Sequence, residues 1–231
     1  MSKTYEILHR GGVILISLAA GTAQAFNLLQ NGSFENTAGT FVNNGFGWMS
    51  LNPGSNVIPG WTTTTAELAW GQNGNSDGGT TPFGDFFFDL AGFHNFFPYG
   101  GVTQTINTTV NQKYTLSLSL GILNPTYPGP ISVTATAGSS NQTFTFNPSS
   151  SGNQWGGFSW DFTATSTSTP ISIVGISTAN TYYLGLDNVS VEAKTTQTVP
   201  EPSTILGLGL LGFGAFCQRK LAQGKKSKQD N

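Results

Sequence analysis

Tyr114-Thr115-Leu116-Ser117-Leu118-Ser119-Leu120 alternates apolar and hydroxyl side chains without a break. Successive residues of a strand point to opposite faces, so this run predicts a strand with one buried and one polar face. The same alternation recurs outward from it, at 133–137, 144–146 and 158–162. Residues 102–106, 171–176 and 182–191 read as further strands, and Gly, Pro, Asn and Ser clusters at 124–130 and 148–154 read as the turns between them. No stretch of this region carries a long helical period. Roughly ten short strands predict an all-β fold, an antiparallel β-sandwich of the jelly-roll kind. Phe86-Phe87-Phe88 is apolar on both faces, which predicts a central, covered strand. Asp77 to Gly79 and His94-Asn95 then fall in loops near its ends, where binding groups are commonly carried.

Both ends of the chain read as addresses. Residues 1–25 have a basic start (Lys3, His9, Arg10), an apolar run at 13–20 and a small-residue site Ala23-Gln24-Ala25, the pattern of a secretory signal peptide cut before Phe26. At the other end, 205–217 is uncharged and apolar. A helix of about 13 to 15 residues spans roughly 20 to 23 Å, short of the roughly 30 Å hydrocarbon core, so it makes a marginal permanent anchor. Arg219, Lys220, Lys225, Lys226 and Lys228 follow and keep the tail on the cytoplasmic side. The organisation is therefore a signal peptide (1–25), an ectodomain (26–194), a linker (195–199), a motif with a transmembrane helix (200–220) and a basic tail (221–231).

Pro200-Glu201-Pro202, the short apolar helix and the basic end resemble, in that order, the PEP-CTERM sorting signal of Gram-negative bacteria. The resemblance implies an exosortase substrate, cut near Pro200, Glu201 and Pro202 after signal peptidase has acted at the other end. It also implies passage from the inner membrane to the outer surface or the extracellular matrix. Gly207-x-Gly209-x-x-Gly212 spells a dinucleotide pattern but lacks the preceding strand and the following βαβ unit. Those glycines read better as close-approach positions between membrane helices.

Eight acids and two lysines leave the ectodomain at −6, against −2 for the whole chain. That balance excludes a nucleic-acid surface. The single cysteine, Cys217, lies in the apolar tail, so the ectodomain relies on core packing instead of disulfides.

The ectodomain opens with Asn31-Gly32-Ser33-Phe34-Glu35 and closes with Asp187-Asn188-Val189-Ser190-Val191. With Ile58-Pro59-Gly60-Trp61, this pairing is similar to the galactose-binding-like jelly rolls of carbohydrate-binding modules and plant-type cell-wall proteins. The resemblance implies that the two end motifs lie on neighbouring strands. Leu184 and Leu186 share one parity, Val189 and Val191 the other, and the change of phase at Asp187-Asn188 predicts a β-bulge. Glu35 and Asp187 are candidate ligands of a structural calcium, which takes about six to eight oxygens; the alternative is that they cap turns or face solvent.

Flat aromatic rings stack on sugar rings and also fill sandwich cores. Trp160 alternates with Phe158 and Phe162 and reads as core; Trp61 follows a turn and reads as packing. Trp48, Trp70 and Trp155 lie near Asn, Gln and Gly residues and are the candidate glycan contacts, with packing as their alternative.

Catalytic patterns are weak. His94 is the only histidine of the ectodomain, and Gly74-Asn75-Ser76-Asp77-Gly78 spells a nucleophile elbow but is followed by loop residues instead of a helix. The sequence thus points to a non-enzymatic exported protein that associates with exopolysaccharide. Self-association into a surface coat and hydrolysis of glycans are the alternatives.

Overall fold

A computed structural model describes residues 26–122, 129–150, 152–177 and 183–194. The expected signal peptide, linker, Pro200-Glu201-Pro202 motif, apolar helix and basic tail lie outside the described residues. The described strands are β1 (Trp48–Leu51), β2 (Thr62–Thr64), β3 (Leu68–Gln72), β4 (Phe86–Asp89), β5 (Gly101–Asn107), β6 (Lys113–Ile122), β7 (Ile131–Ala137), β8 (Ser140–Phe146), β9 (Gln154–Thr163), β10 (Ser168–Gly175) and β11 (Gly185–Ala193). They form two antiparallel sheets, ordered β1-β3-β4-β11-β6-β9 and β2-β5-β10-β7-β8. This is the all-β jelly-roll sandwich that the alternation predicts.

The alternating strands supply the dry layer between the sheets. Leu116 sits opposite Trp160 and Leu118 opposite Phe158 across β6 and β9, while Ser117 faces Ser159 on the other side. From the second sheet, Ile131, Val133, Ile171 and Ile173 close the layer with no exposed surface. Burying a side chain of this size stabilises the fold by about 1.5–3 kcal/mol. β4 is third in its sheet, between β3 and β11, and buried on both faces as its triple Phe predicts.

The two end motifs meet. Leu28 N–H donates to Val191 O at 2.8 Å and Val189 N–H to Gly32 O at 2.9 Å. Asn27 bridges the same pair of segments, donating to Val189 O and accepting from Val191 N–H. The opening motif is not itself a strand, however: residues 30–33 form turns, with Asn31 and Phe34 at φ of 55° and 61°. The bulge is present, since the β11–β6 register shifts between Asp187 and Ser190 and Asn188 takes a φ of 51°.

Strands β1 and β3 escape the alternation rule. β3, Leu68-Ala69-Trp70-Gly71-Gln72, is buried at its first four positions. Its outer face is covered as well, so it shows no polar side.

Candidate functional site

The outer face of the first sheet carries a second apolar cluster. Trp48, Ala69 and Phe87 form it, with Trp155 and Tyr183 against them. Glycines in the sheet make room for the two indoles. A Cβ on Gly71 would come within 2.4 Å of the Trp48 ring, and one on Gly121 would come within 2.5 Å of the Trp155 ring. Phe87 meets both indoles edge to face, at 5.6 and 6.1 Å.

Residues 73–85 are tied down over this face through the polar edges of the same rings. Trp48 Nε1 donates to Asp77 Oδ2 at 2.8 Å, and Trp155 Nε1 to Thr80 O at 2.7 Å. Asn153 Nδ2 donates to Gly78 O, and Thr81 Oγ1 to Asp187 Oδ2 at 2.5 Å. The Gly74–Gly78 elbow pattern lies in this segment as turns, with both glycines at positive φ, 71° and 74°.

Beside the covering segment lies a cavity of about 70 Å³, lined by Trp48, Ala69, Asp77, Asp89, Gly92, Phe93, Asn95 and Tyr183. Trp48 and Tyr183 lie nearly parallel there, 24° apart with centroids 6.3 Å apart. Asp77 holds both, through Trp48 Nε1 and the Tyr183 hydroxyl. Burial, with the Asp77 and Asp89 charges behind it, pushes the Tyr183 hydroxyl up to about 12. Asp89 is buried at the end of β4, and its Oδ1 accepts from Leu184 N–H at 2.8 Å and Ala91 N–H at 2.9 Å. Burial pushes its carboxyl up to about 7; the two N–H bonds oppose this, and the Glu67 and Asp77 charges add to it. Glu67 sits just behind Gly92, where a Cβ would be 2.2 Å from Glu67 Oε2. It accepts from Ser50 Oγ and Phe93 N–H, and His94 Nε2 is 3.5 Å away. Phe93, Phe96 and Phe97 stand exposed on the adjoining loop.

Glu35, in the loop after the opening turns, and Asp187, in β11, form a second acidic pair. Glu35 accepts the N–H groups of Asp85 and Phe86, each at 2.9 Å, one on each oxygen. Asp187 is fully buried and accepts from Thr81 Oγ1 and from Asn188 N–H. Burial pushes its carboxyl up to about 7, against those two bonds, and Glu35 is near enough for its charge to add to the rise. Ion pairs among the described residues lie elsewhere, at His94–Glu67 and Lys194–Asp161. Each carboxylate oxygen keeps a free lone pair, the hard donor type that calcium takes. No group of three or more His, Cys, Asp or Glu side chains is placed to hold a metal ion among the described residues, so such an ion would draw the rest of its shell from carbonyl and hydroxyl oxygens.

The three tryptophans singled out from sequence have separate fates. Trp70 has no exposed surface and lies in the main core with Phe41 and Phe86 against it, so the glycan role expected of it is corrected to packing. Its parity with Leu68 turns it inward, and its Nε1 has no hydrogen-bond partner among the described residues. Trp48 is 2% exposed; it offers no open platform and lines the cavity instead. Trp155 is half-buried on Gly121. Asp89, Glu67 and Tyr183 are the residues sequence reasoning leaves out; Asp77 was placed only as one of a loop near the triple-Phe strand. Asp89 had a readable signal, since it shares the outward parity of Phe87.

A larger groove of about 280 Å³ lies at the β1 edge, lined by Asn43, Gly45, Phe46, Gly47, Gln72, Asn73, Gly74, Asn75 and Ser76. Phe46 is 63% exposed at its rim, and Gln72 is exposed as well. The groove is rich in amides and contains no charged side chain.

A family described as "Protein of unknown function (DUF642)" matches residues 27–192, from the segment before the opening motif to the last strand. The chain belongs to the DUF642 family. The PEP-CTERM protein-sorting motif matches residues 198–220, which makes this DUF642 protein an exported, exosortase-targeted one. No curated protein matches the chain. Among solved structures it is similar to a CBM4 module (18% identity, 72% of this chain and 99% of that one, TM-score 0.33). It is also similar to a CBM61 module solved with β-1,4-galactotriose (12%, 73% and 99%, TM-score 0.38). Of a protein described as the EclA C-terminal domain, a sugar-binding protein, it spans 64% (17% identity, TM-score 0.33). It spans under a third of the length of the glycoside hydrolases it matches. Likeness at this level says nothing about ligand or activity.

Proposed function

We propose that this DUF642 protein is a non-enzymatic component of the cell surface or extracellular matrix that binds exopolysaccharide. The amide groove carries the reading. Neutral Asn, Gln and Ser groups suit sugar hydroxyls, and the exposed Phe46 face suits the C–H face of a pyranose. Retention on a panel of polysaccharides tests it, with Phe46→Ala and Gln72→Ala as the weakened variants. Absence of binding to every polysaccharide, including that of the producing cell, defeats it. Release of reducing ends from any of them makes the protein a hydrolase instead.

The sorting signal fits the same reading. Mass spectrometry of the exported protein should find a C-terminus near Pro200–Pro202; a tail intact through Asn231 removes the processing step. A structural calcium held by Glu35 and Asp187 belongs to the proposal too. Calcium should raise the melting temperature of the native protein and leave Asp187→Asn unchanged. A melting temperature indifferent to calcium and chelator removes the ion.

Self-association is the second reading, favoured by one observation. β8 is the outer strand of the second sheet and is exposed at three consecutive positions, Asn141, Gln142 and Thr143. Such an edge can pair with another chain. Ultracentrifugation decides: a monomer at all concentrations excludes it.

A further inference from the structure

The cavity between Trp48 and Tyr183 combines features that the amide groove lacks. Two aromatic rings and the Phe93 ring surround it, and Asp77 and Asp89 supply negative charge, with Asn95 at its edge. Burying a carboxylate is costly unless it is paired. Asp89 is 2% exposed, yet no lysine, arginine or histidine pairs with it among the described residues. Its Oδ1 is committed to the Ala91 and Leu184 N–H groups, and its Oδ2 takes no hydrogen bond among the described residues. Asp77 is spent on positioning the two rings, and Glu67 reinforces the field from behind Gly92. Aromatic faces attract cations, more strongly where water is excluded. A volume of about 70 Å³ holds a few waters, room for an ammonium headgroup and too little to enclose a sugar ring.

We propose that this cavity takes the protonated primary amine of an amino-sugar unit in the bound polysaccharide, with Asp89 Oδ2 as its hydrogen-bond acceptor and Trp48, Tyr183 and Phe93 around it. The inference rests on the polysaccharide reading above and adds to it a preference for glycans with free amines. The sugar ring stays outside, against exposed Phe93, while the amine enters.

Calorimetric titration of the exported protein at pH 7, where Asp89 ionises readily against a bound cation, tests this, with glucosamine oligomers against N-acetylglucosamine oligomers of the same length. The expected result is at least tenfold tighter binding of the free amine. Asp89→Asn keeps an oxygen for the Ala91 and Leu184 N–H groups and should remove that tenfold preference. Phe93→Ala, at an exposed site that cannot threaten the fold, should lower binding of the amine several-fold and serves if Asp89→Asn misfolds. Equal binding of both oligomers, or a preference unchanged in the variants, overturns the inference and leaves the polysaccharide reading standing. If no oligosaccharide or polysaccharide binds while putrescine binds in an Asp89-dependent way, the amino sugar is overturned together with that reading.

Discussion

Asp89 and Asp187 occupy the same face of the same sheet and end differently. Both are buried, both carboxyls rise to about 7, and burial is the main cause in each. Asp89 sits on β4 with two backbone N–H groups on one oxygen and a cavity in front of it. Asp187 sits at a bulge in β11, beneath the Thr81 hydroxyl of the covering segment, with Glu35 as its charged neighbour. One acid is kept reachable and the other is sealed. Burial alone therefore does not tell a ligand-facing carboxylate from a structural one; what lies on its second oxygen does.

The largest effect expected is on pH dependence. A carboxyl raised in the folded state favours folding while it is protonated. Its contribution is complete below the unfolded value of about 3.9 and disappears as pH rises through about 7. Without calcium, stability to urea should fall by several kcal/mol between about pH 4 and 7 as both acids ionise. With calcium the share of Asp187 should vanish and that of Asp89 remain; a slope insensitive to calcium erases the distinction between them. Next in size is Asp89→Ala, which strands two buried N–H groups and should cost about 2–5 kcal/mol in urea unfolding, while Asp89→Asn costs about 1 kcal/mol or less. An equal loss in both variants means that the charge matters and not the acceptor. Gly121→Ala and Gly71→Ala should each cost about 1–3 kcal/mol by displacing an indole. Proteolysis at 73–85 should quicken in both, since each indole holds that segment. The smallest effect is Thr81→Val, about 1–2 kcal/mol, read as a lower melting temperature together with easier calcium exchange at Asp187. No change there means that the Thr81 hydroxyl does not seal the site.

How much of this was legible depended on what covers each face. β6, β7, β9 and β10 announce themselves because most of their outward positions are hydroxyls or charges. β1 and β3 do not, because residues 73–85 lie over them and no polar alternation is required. That covering segment is a run of Gly, Asn, Ser and Thr, which signals a loop and says nothing about where the loop lands. The bulge at Asp187-Asn188 was readable from a change of parity. The cavity was half readable: Asp77 and Asn95 fall in loops flanking the triple-Phe strand, but only the register brings Trp48 and Tyr183 to them. Trp70 shows the opposite error, since amide neighbours suggested an exposed ring where its parity with Leu68 put it in the core.

The bonds between the opening motif and β11 bear on how the protein leaves the cell. Leu28 finds its partner 163 residues later, at Val191. A chain secreted N-terminus first cannot complete the sandwich until the last strand has crossed the inner membrane. Contacts this distant in sequence also form slowly. On such a route the sandwich closes only after its last strand, β11, has been delivered.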